Sequence, residues 1–166
     1  MNSKLVYRNE FEARMNTGSG EHPVWSLIGE GFTSFSQNKN PKEYTYWHFD
    51  EPVEYSDVVG YSPSFSFTAD IHSDNPVIAE LMRITDHELT GADARREIVV
   101  INKWDSLAPG VFRAYKRTYS IACGSSADRG DVMTLSGTMR VCGRLMCGAY
   151  DSSTNQFFTE VKICGS

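Results

Sequence analysis

A chain of 166 residues is long enough for one domain with a sizeable core, and at 40% hydrophobic and 22% charged it has an ordinary globular composition. The formal net charge is −5 and the bases are scattered, Arg95–Arg96 and Arg113, Lys116 and Arg117 being the densest groups; this argues against a specific DNA or RNA grip, though not against DNA passing nearby. No apolar run approaches the ~18 residues of a spanning helix, and the first residues lack the apolar stretch of a secretory signal, so no membrane role is expected and assembly in a cytoplasm is.

In chain order, residues 1–23 are polar and turn-rich around NTGSGEHP; they read as an N-terminal arm with one short strand at KLVYR, ahead of a single domain over 24–166. VWSLIGEGFTSFS is strand-rich, with Gly29 and Gly31 marking a bend. QNKNPK reads as a turn, EYTYWHF as a strand and DEPVEYSD as an acidic loop.

YSPSFSFTADIH, residues 61–72, alternates throughout. Tyr61, Pro63, Phe65, Phe67, Ala69 and Ile71 fall on one side, and Ser62, Ser64, Ser66, Thr68, Asp70 and His72 on the other. A sheet face meeting bulk water usually carries Lys and Glu. This one carries small hydroxyls and one acid, which poses the question of what it faces.

The pattern then changes. Asn75 is a capping residue, Pro76 suits a first helical position, and Val77, Leu81 and Ile84 recur at helical spacing, predicting an amphipathic helix over about 76–84. HELTGADA reads as loop. REIVVINKW is continuously apolar at its centre, as in a strand covered on both faces, and FRAYKRTYSIACG pairs with it across DSLAPG. DVMTLSGTMRVCGRL repeats the opening pattern, with Thr134, Ser136, Thr138, Arg140, Cys142 and Arg144 on its polar side. GAYDSSTNQFFTEVKI reads as strand, turn, strand. The sum is a mainly β fold, a sandwich or barrel of about seven to nine strands with one short helix. Two long strands with a continuous polar face suit a sheet continued from subunit to subunit.

Chemistry is sparse. The four cysteines lack CxxC spacing and read as free thiols, and the four histidines are dispersed. There is no nucleophile elbow and no phosphate-cradling loop. Asp86, His87 and Glu88 spell DHE after the helix without a partner motif, which reads as a solvated helix end. No catalytic, cofactor-binding or metal site is expected, and the chain does not read as an enzyme.

LSGTMRVCGRLMCGAYDSSTNQFF resembles the C-terminal region of major tail tube proteins of long-tailed, siphovirus-type bacteriophages, through Ser136, Gly137, Gly143, Gly148, Tyr150, Asp151, Thr154, Asn155 and Phe157. DVVGYSPSFSFTADIHSDNPVIAELMRI and the strand after TGADA extend the likeness over roughly residues 24–162, resting on order more than on any one motif. The resemblance implies a virion structural subunit forming stacked homohexameric rings, a hollow tail tube for genome delivery. It implies strands contributed to a shared inner β-barrel, no cofactor, DNA passing without specific contacts, and partners among its own copies, terminator, tape-measure and distal tail proteins. Under it, Ser62, Ser64, Ser66, Thr68 and Asp70 are candidates to line the lumen, and Asp50, Glu51, Glu54, Asp57, Arg140 and Arg144 to lie between subunits. Arg140 and Arg144 share the polar side of their strand, so either acids such as Asp70 neutralise them across the sheet or that face turns toward a neighbouring ring. The alternatives are an inner tube protein of a contractile tail, or a monomeric β-barrel that binds a small molecule in an aromatic interior.

Overall fold

The apolar run Ile98–Ile101 organises the molecule, because a strand sends alternate side chains to opposite faces and all four of these are buried. In the computed structural model, which describes residues 4–159 apart from the side chains of Ser125 and Arg129, the run lies in a strand flanked by two cores. Ile98 and Val100 join Met15, Phe65, Phe67, Leu81, Leu135 and Met139. Val99 and Ile101 join Trp25, Ala114 and Tyr150 on the opposite face.

Among the described residues are eleven strands and one α-helix: β1 (Phe11–Asn16), β2 (Trp25–Leu27), β3 (Phe32–Asn38), β4 (Pro41–Trp47), β5 (Glu54–Tyr61), β6 (Ser64–Asp70), α1 (Pro76–Asp86), β7 (Arg95–Ala108), β8 (Val111–Arg129), β9 (Val132–Val141), β10 (Met146–Asp151) and β11 (Gln156–Thr159). Nine strands form one sheet in the order β2-β1-β7-β8-β9-β6-β3, with β10 on β8 and β11 on β10; β4 and β5 form a separate ribbon. Phe11, from one end of this path, and Phe32 and Phe35, from the other, pack against the same core, so the sheet curls into an incompletely closed barrel. The mainly β expectation holds, and the ribbon brings the strand number above the seven to nine expected.

β8 explains the two-sided core. Its residues 111–116 pair with β10, whereas 119–129 pair with β9, so one edge of a long strand carries two strands end to end and the sheet forks. Two glycines of the C-terminal motif permit the close approaches this needs. A Cβ on Gly137 would stand 2.3 Å from the Ala122 carbonyl oxygen, beside a register shift in β8, and one on Gly148 would stand 2.0 Å from that of Phe158. Tyr150 is fully buried, and the turn after it is closed by Asp151, which accepts from the Ser153 amide at 2.8 Å.

α1 forms as the sequence predicts and runs slightly longer. Asn75 Oδ1 accepts from the amides of Val77 (2.9 Å) and Ile78 (3.2 Å), satisfying donors that the first turn leaves open. Val77, Leu81 and Ile84 enter the larger core.

Five expectations are corrected. No strand forms at KLVYR; β1 lies instead at Phe11–Asn16, between β2 and β7 with Ala13, Met15 and Asn16 buried, so the stretch read as an arm carries a core strand. The acidic stretch 50–57 is not all loop, because β5 begins at Glu54. The strand expected over 61–72 is shorter: Tyr61 ends β5, Pro63 has no amide hydrogen for a ladder, and β6 spans only 64–70. The turn expected over 105–110 shrinks to Pro109–Gly110, with Gly110 at φ 75°, because β7 continues to Ala108. Finally, Cys123 and Cys142 are free thiols but Cys147 is disulfide-bonded, so the four cysteines are not all free; Cys164 lies outside the described residues.

Candidate functional site

Two surfaces stand apart from the packed body. Among the described residues no three His, Cys, Asp or Glu side chains gather as metal ligands, and Asp86, His87 and Glu88 lie exposed where α1 ends.

The first surface is the outer face of β6 and its neighbours. Phe65, Phe67 and Ala69 point inward and are buried, Phe65 stacking on Phe35 at 4.7 Å, which turns Ser64, Ser66, Thr68 and Asp70 outward. Directly paired residues share a face, so the register extends the patch sideways. Ser64, Ser66, Thr68 and Asp70 stand opposite Arg140, Thr138, Ser136 and Thr134 of β9. On the other side Asn38, Ser36 and Ser34 of β3 stand opposite Ser64, Ser66 and Thr68. Ser120 and Ala122 of β8 continue the row beyond Arg140 and Thr138. Three adjacent strands, and part of a fourth, thus present mostly hydroxyls, with Asp70 and Arg140 as the charges.

Ser62 lies apart from this row. It sits in the break between β5 and β6, where its amide donates to the Asn40 carbonyl oxygen at 3.2 Å. Asn40 also reaches Ser64 Oγ at 3.2 Å, tying the root of the ribbon to the first residue of β6. The register bears on one account of the arginines, neutralisation by Asp70 across the sheet. Asp70 is opposite Thr134 and Arg140 is opposite Ser64, six positions away along the paired strands, about 20 Å at strand rise. Asp70 therefore does not neutralise Arg140. Arg144 is exposed in the segment between β9 and β10, off the patch.

The second surface is the β4–β5 ribbon. Among the described residues its strands pair only with each other, and an isolated two-stranded ribbon is marginally stable in water. Tyr44, Tyr46, His48 and Tyr55 form an aromatic ladder on one of its faces: Tyr46 stacks on Tyr44 at 5.9 Å and on Tyr55 at 5.7 Å, with His48 edge-on to both Tyr46 and Tyr55. Asp57 holds Tyr46 by a hydrogen bond and Glu51 accepts from the Tyr55 hydroxyl; each bond favours the neutral phenol and raises its pKa. Trp47, Val53, Val58 and Val59 are exposed, and Phe49 stands wholly in solvent at 109% relative exposure. Asp50, Glu51, Glu54 and Asp57 are exposed within or beside the turn. The structure thus gathers the four acidic candidates on one projection together with a run of apolar side chains. The signal for the ladder was present in EYTYWHF, where Tyr44, Tyr46 and His48 alternate; what the sequence could not supply was that this strand leaves the body.

By sequence, no family model matches the chain, and no curated protein is significantly similar to it. Solved structures share its fold. A chain from the tail of an empty gene transfer agent (GTA) particle, refined helically with C6 symmetry, matches at a TM-score of 0.60 and 14% identity, covering 85% of this chain and 97% of that one. A chain of the native GTA virion matches at 0.56 and 12%, again over 85% and 97%. One from the six-fold symmetrised baseplate of the anti-feeding prophage (AFP) matches at 0.54 and 10%, over 89% and 97%. The chain therefore has a fold that occurs in tail and baseplate particles.

Proposed function

We propose that this chain is the repeating subunit of a phage-type tail tube, assembling through its own copies into stacked six-fold rings that enclose a channel for DNA. The observation that carries this reading is the fold shared with chains of six-fold tail and baseplate particles across nearly their whole length. The ribbon supports it, because exposed aromatic and aliphatic side chains on a projection that buries nothing in its own subunit call for a partner surface.

In this reading the hydroxyl face around Ser64, Ser66, Thr68 and Asp70 lines the bore. Small neutral groups leave the channel open, and a net charge of −5 per subunit discourages phosphate from settling on the wall. Arg140 lies at one end of that face, where it meets the next ring rather than DNA, and the ribbon, with Asp50, Glu51, Glu54 and Asp57, lies between subunits. We place the chain in a long-tailed, siphovirus-type virion, with terminator, tape-measure and distal tail proteins as its further partners; a sheath around the tube would assign it to a contractile tail instead.

A second reading, a monomeric barrel that binds a small molecule, is favoured by one feature, an aromatic cavity of about 550 Å³. Negative-stain microscopy with sedimentation of the purified protein separates the two. Rings or tubes with six-fold views are expected, whereas a stable 18.6 kDa monomer at all concentrations would sink the tube reading.

A further inference from the structure

The same cavity contains an electrostatic imbalance. It opens between the ribbon's root and the inner face of β7 and β8, lined by Tyr61, Trp104, Tyr115 and Tyr119 and by two cations, Lys39 and Arg117, with no Asp or Glu in its walls among the described residues. Neither cation makes an ion pair among the described residues, and Arg117 Nε is buried without a hydrogen-bond partner. Burial, with Arg117 beside it, lowers the pKa of Lys39, which marks the two charges as close and partly desolvated. Such a pair calls for an anion. The aromatic walls call for an apolar group beside it.

The ribbon's turn offers both. Phe49 is fully exposed and is followed by Asp50. Glu51 and Asp57 are held by Tyr55 and Tyr46, whereas Asp50 and Glu54 have no partner among the described residues. The turn cannot reach its own cavity. Lys39 and Tyr61 of the cavity flank the ribbon's root, and seven paired positions at strand rise carry the tip about 23 Å away. The occupant is therefore another chain.

We propose that the tip of the β4–β5 ribbon, led by Phe49 and Asp50, docks into the cavity beneath Lys39 and Arg117 of a second copy. The contact is heterologous, a projection on one copy meeting a recess on the next, so it propagates through a stack without self-pairing. This rests on the self-assembly reading above and names the surfaces that meet within it.

The test places a benzophenone amino acid at Phe49 in the full chain. This protein is mixed with isotopically heavy unsubstituted copies, allowed to assemble and irradiated. Light-to-heavy cross-links to peptides containing Lys39, Trp104 or Tyr115–Tyr119 are expected. Cross-links elsewhere, or assemblies with none from this position, overturn the docking while leaving self-assembly intact; a protein that never assembles removes both. In parallel, Lys39→Gln with Arg117→Gln, and separately Asp50→Asn, should each raise the concentration at which assemblies appear about tenfold or more. A folded variant of either kind that assembles at the original concentration counts against the proposal.

Discussion

The β6–β9 pair and the β4–β5 ribbon are both antiparallel two-strand units with aromatic residues, yet the molecule uses them in opposite ways. In the first, Phe65, Phe67, Leu135 and Met139 are nearly or wholly buried and the other face is left to hydroxyls. In the second, Tyr44, Trp47, Val58 and Val59 are all more than half exposed. Local pattern alone does not separate them; what separates them is whether a third layer is present. β6 has β3 and β9 beside it and the curled sheet beneath it. The ribbon has only itself. Subunit stability should therefore reside in the first unit and assembly in the second.

The largest effect expected is at Phe67. Phe67→Lys places an unpaired charge at a buried position of β6, and the subunit should lose its cooperative thermal transition by circular dichroism and accumulate as insoluble chain. A soluble, normally melting Phe67→Lys protein would show that β6 faces the other way and would collapse the comparison. Next is Leu81→Ala. Leu81 is fully buried beneath the sheet, so denaturant unfolding should show a loss of about 2–5 kcal/mol. A loss below about 0.5 kcal/mol, the scale of a surface substitution, would place α1 outside the core.

The converse experiment removes the ribbon. Replacing residues 43–59 by an Asn-Gly turn, which suits a tight hairpin, should leave subunit stability within about 1 kcal/mol of the parent while rings and tubes disappear from micrographs. If the shortened subunit melts far below the parent, the ribbon is part of the fold and the contrast between the two units is lost. The smallest effect on stability is expected at Asp70→Lys, within about 0.5 kcal/mol because the side chain lies on the outer face. Assembled tubes should form as before. Conductance or DNA-uptake measurements on them should then show stronger retention of DNA, relieved by added salt, as phosphate contacts generally are. Unchanged DNA behaviour in intact tubes would remove this face from the bore.

Much of the body was legible in advance. The alternation at Phe65, Phe67 and Ala69, the Asn75–Pro76 start of the helix and the continuous run at Ile98–Ile101 all appear where the sequence predicts them. Each depends on periodicity or capping, which act over a few residues. The boundary at residue 23 was less legible. Polar composition and glycines suggested an arm, but FEARMN becomes a sheet strand because β7 supplies its hydrogen-bonding partner from more than eighty residues away in the chain.

The candidate surfaces divide the same way. Which side of β6 is polar is a property of its own residues. That Asp70 and Arg140 stand six positions apart is a property of register, set by pairing with β9. The cavity is a tertiary product altogether: Lys39 lies just before β4 and Arg117 within β8, and only the curl of the sheet sets them side by side. By itself, the sequence determined the faces of single elements, because side-chain direction follows from backbone geometry within one strand or helix. Tertiary structure alone decided which strands acquired a layer to pack against and which cations stand without an acid among the described residues, because both depend on neighbours that only the folded chain brings near.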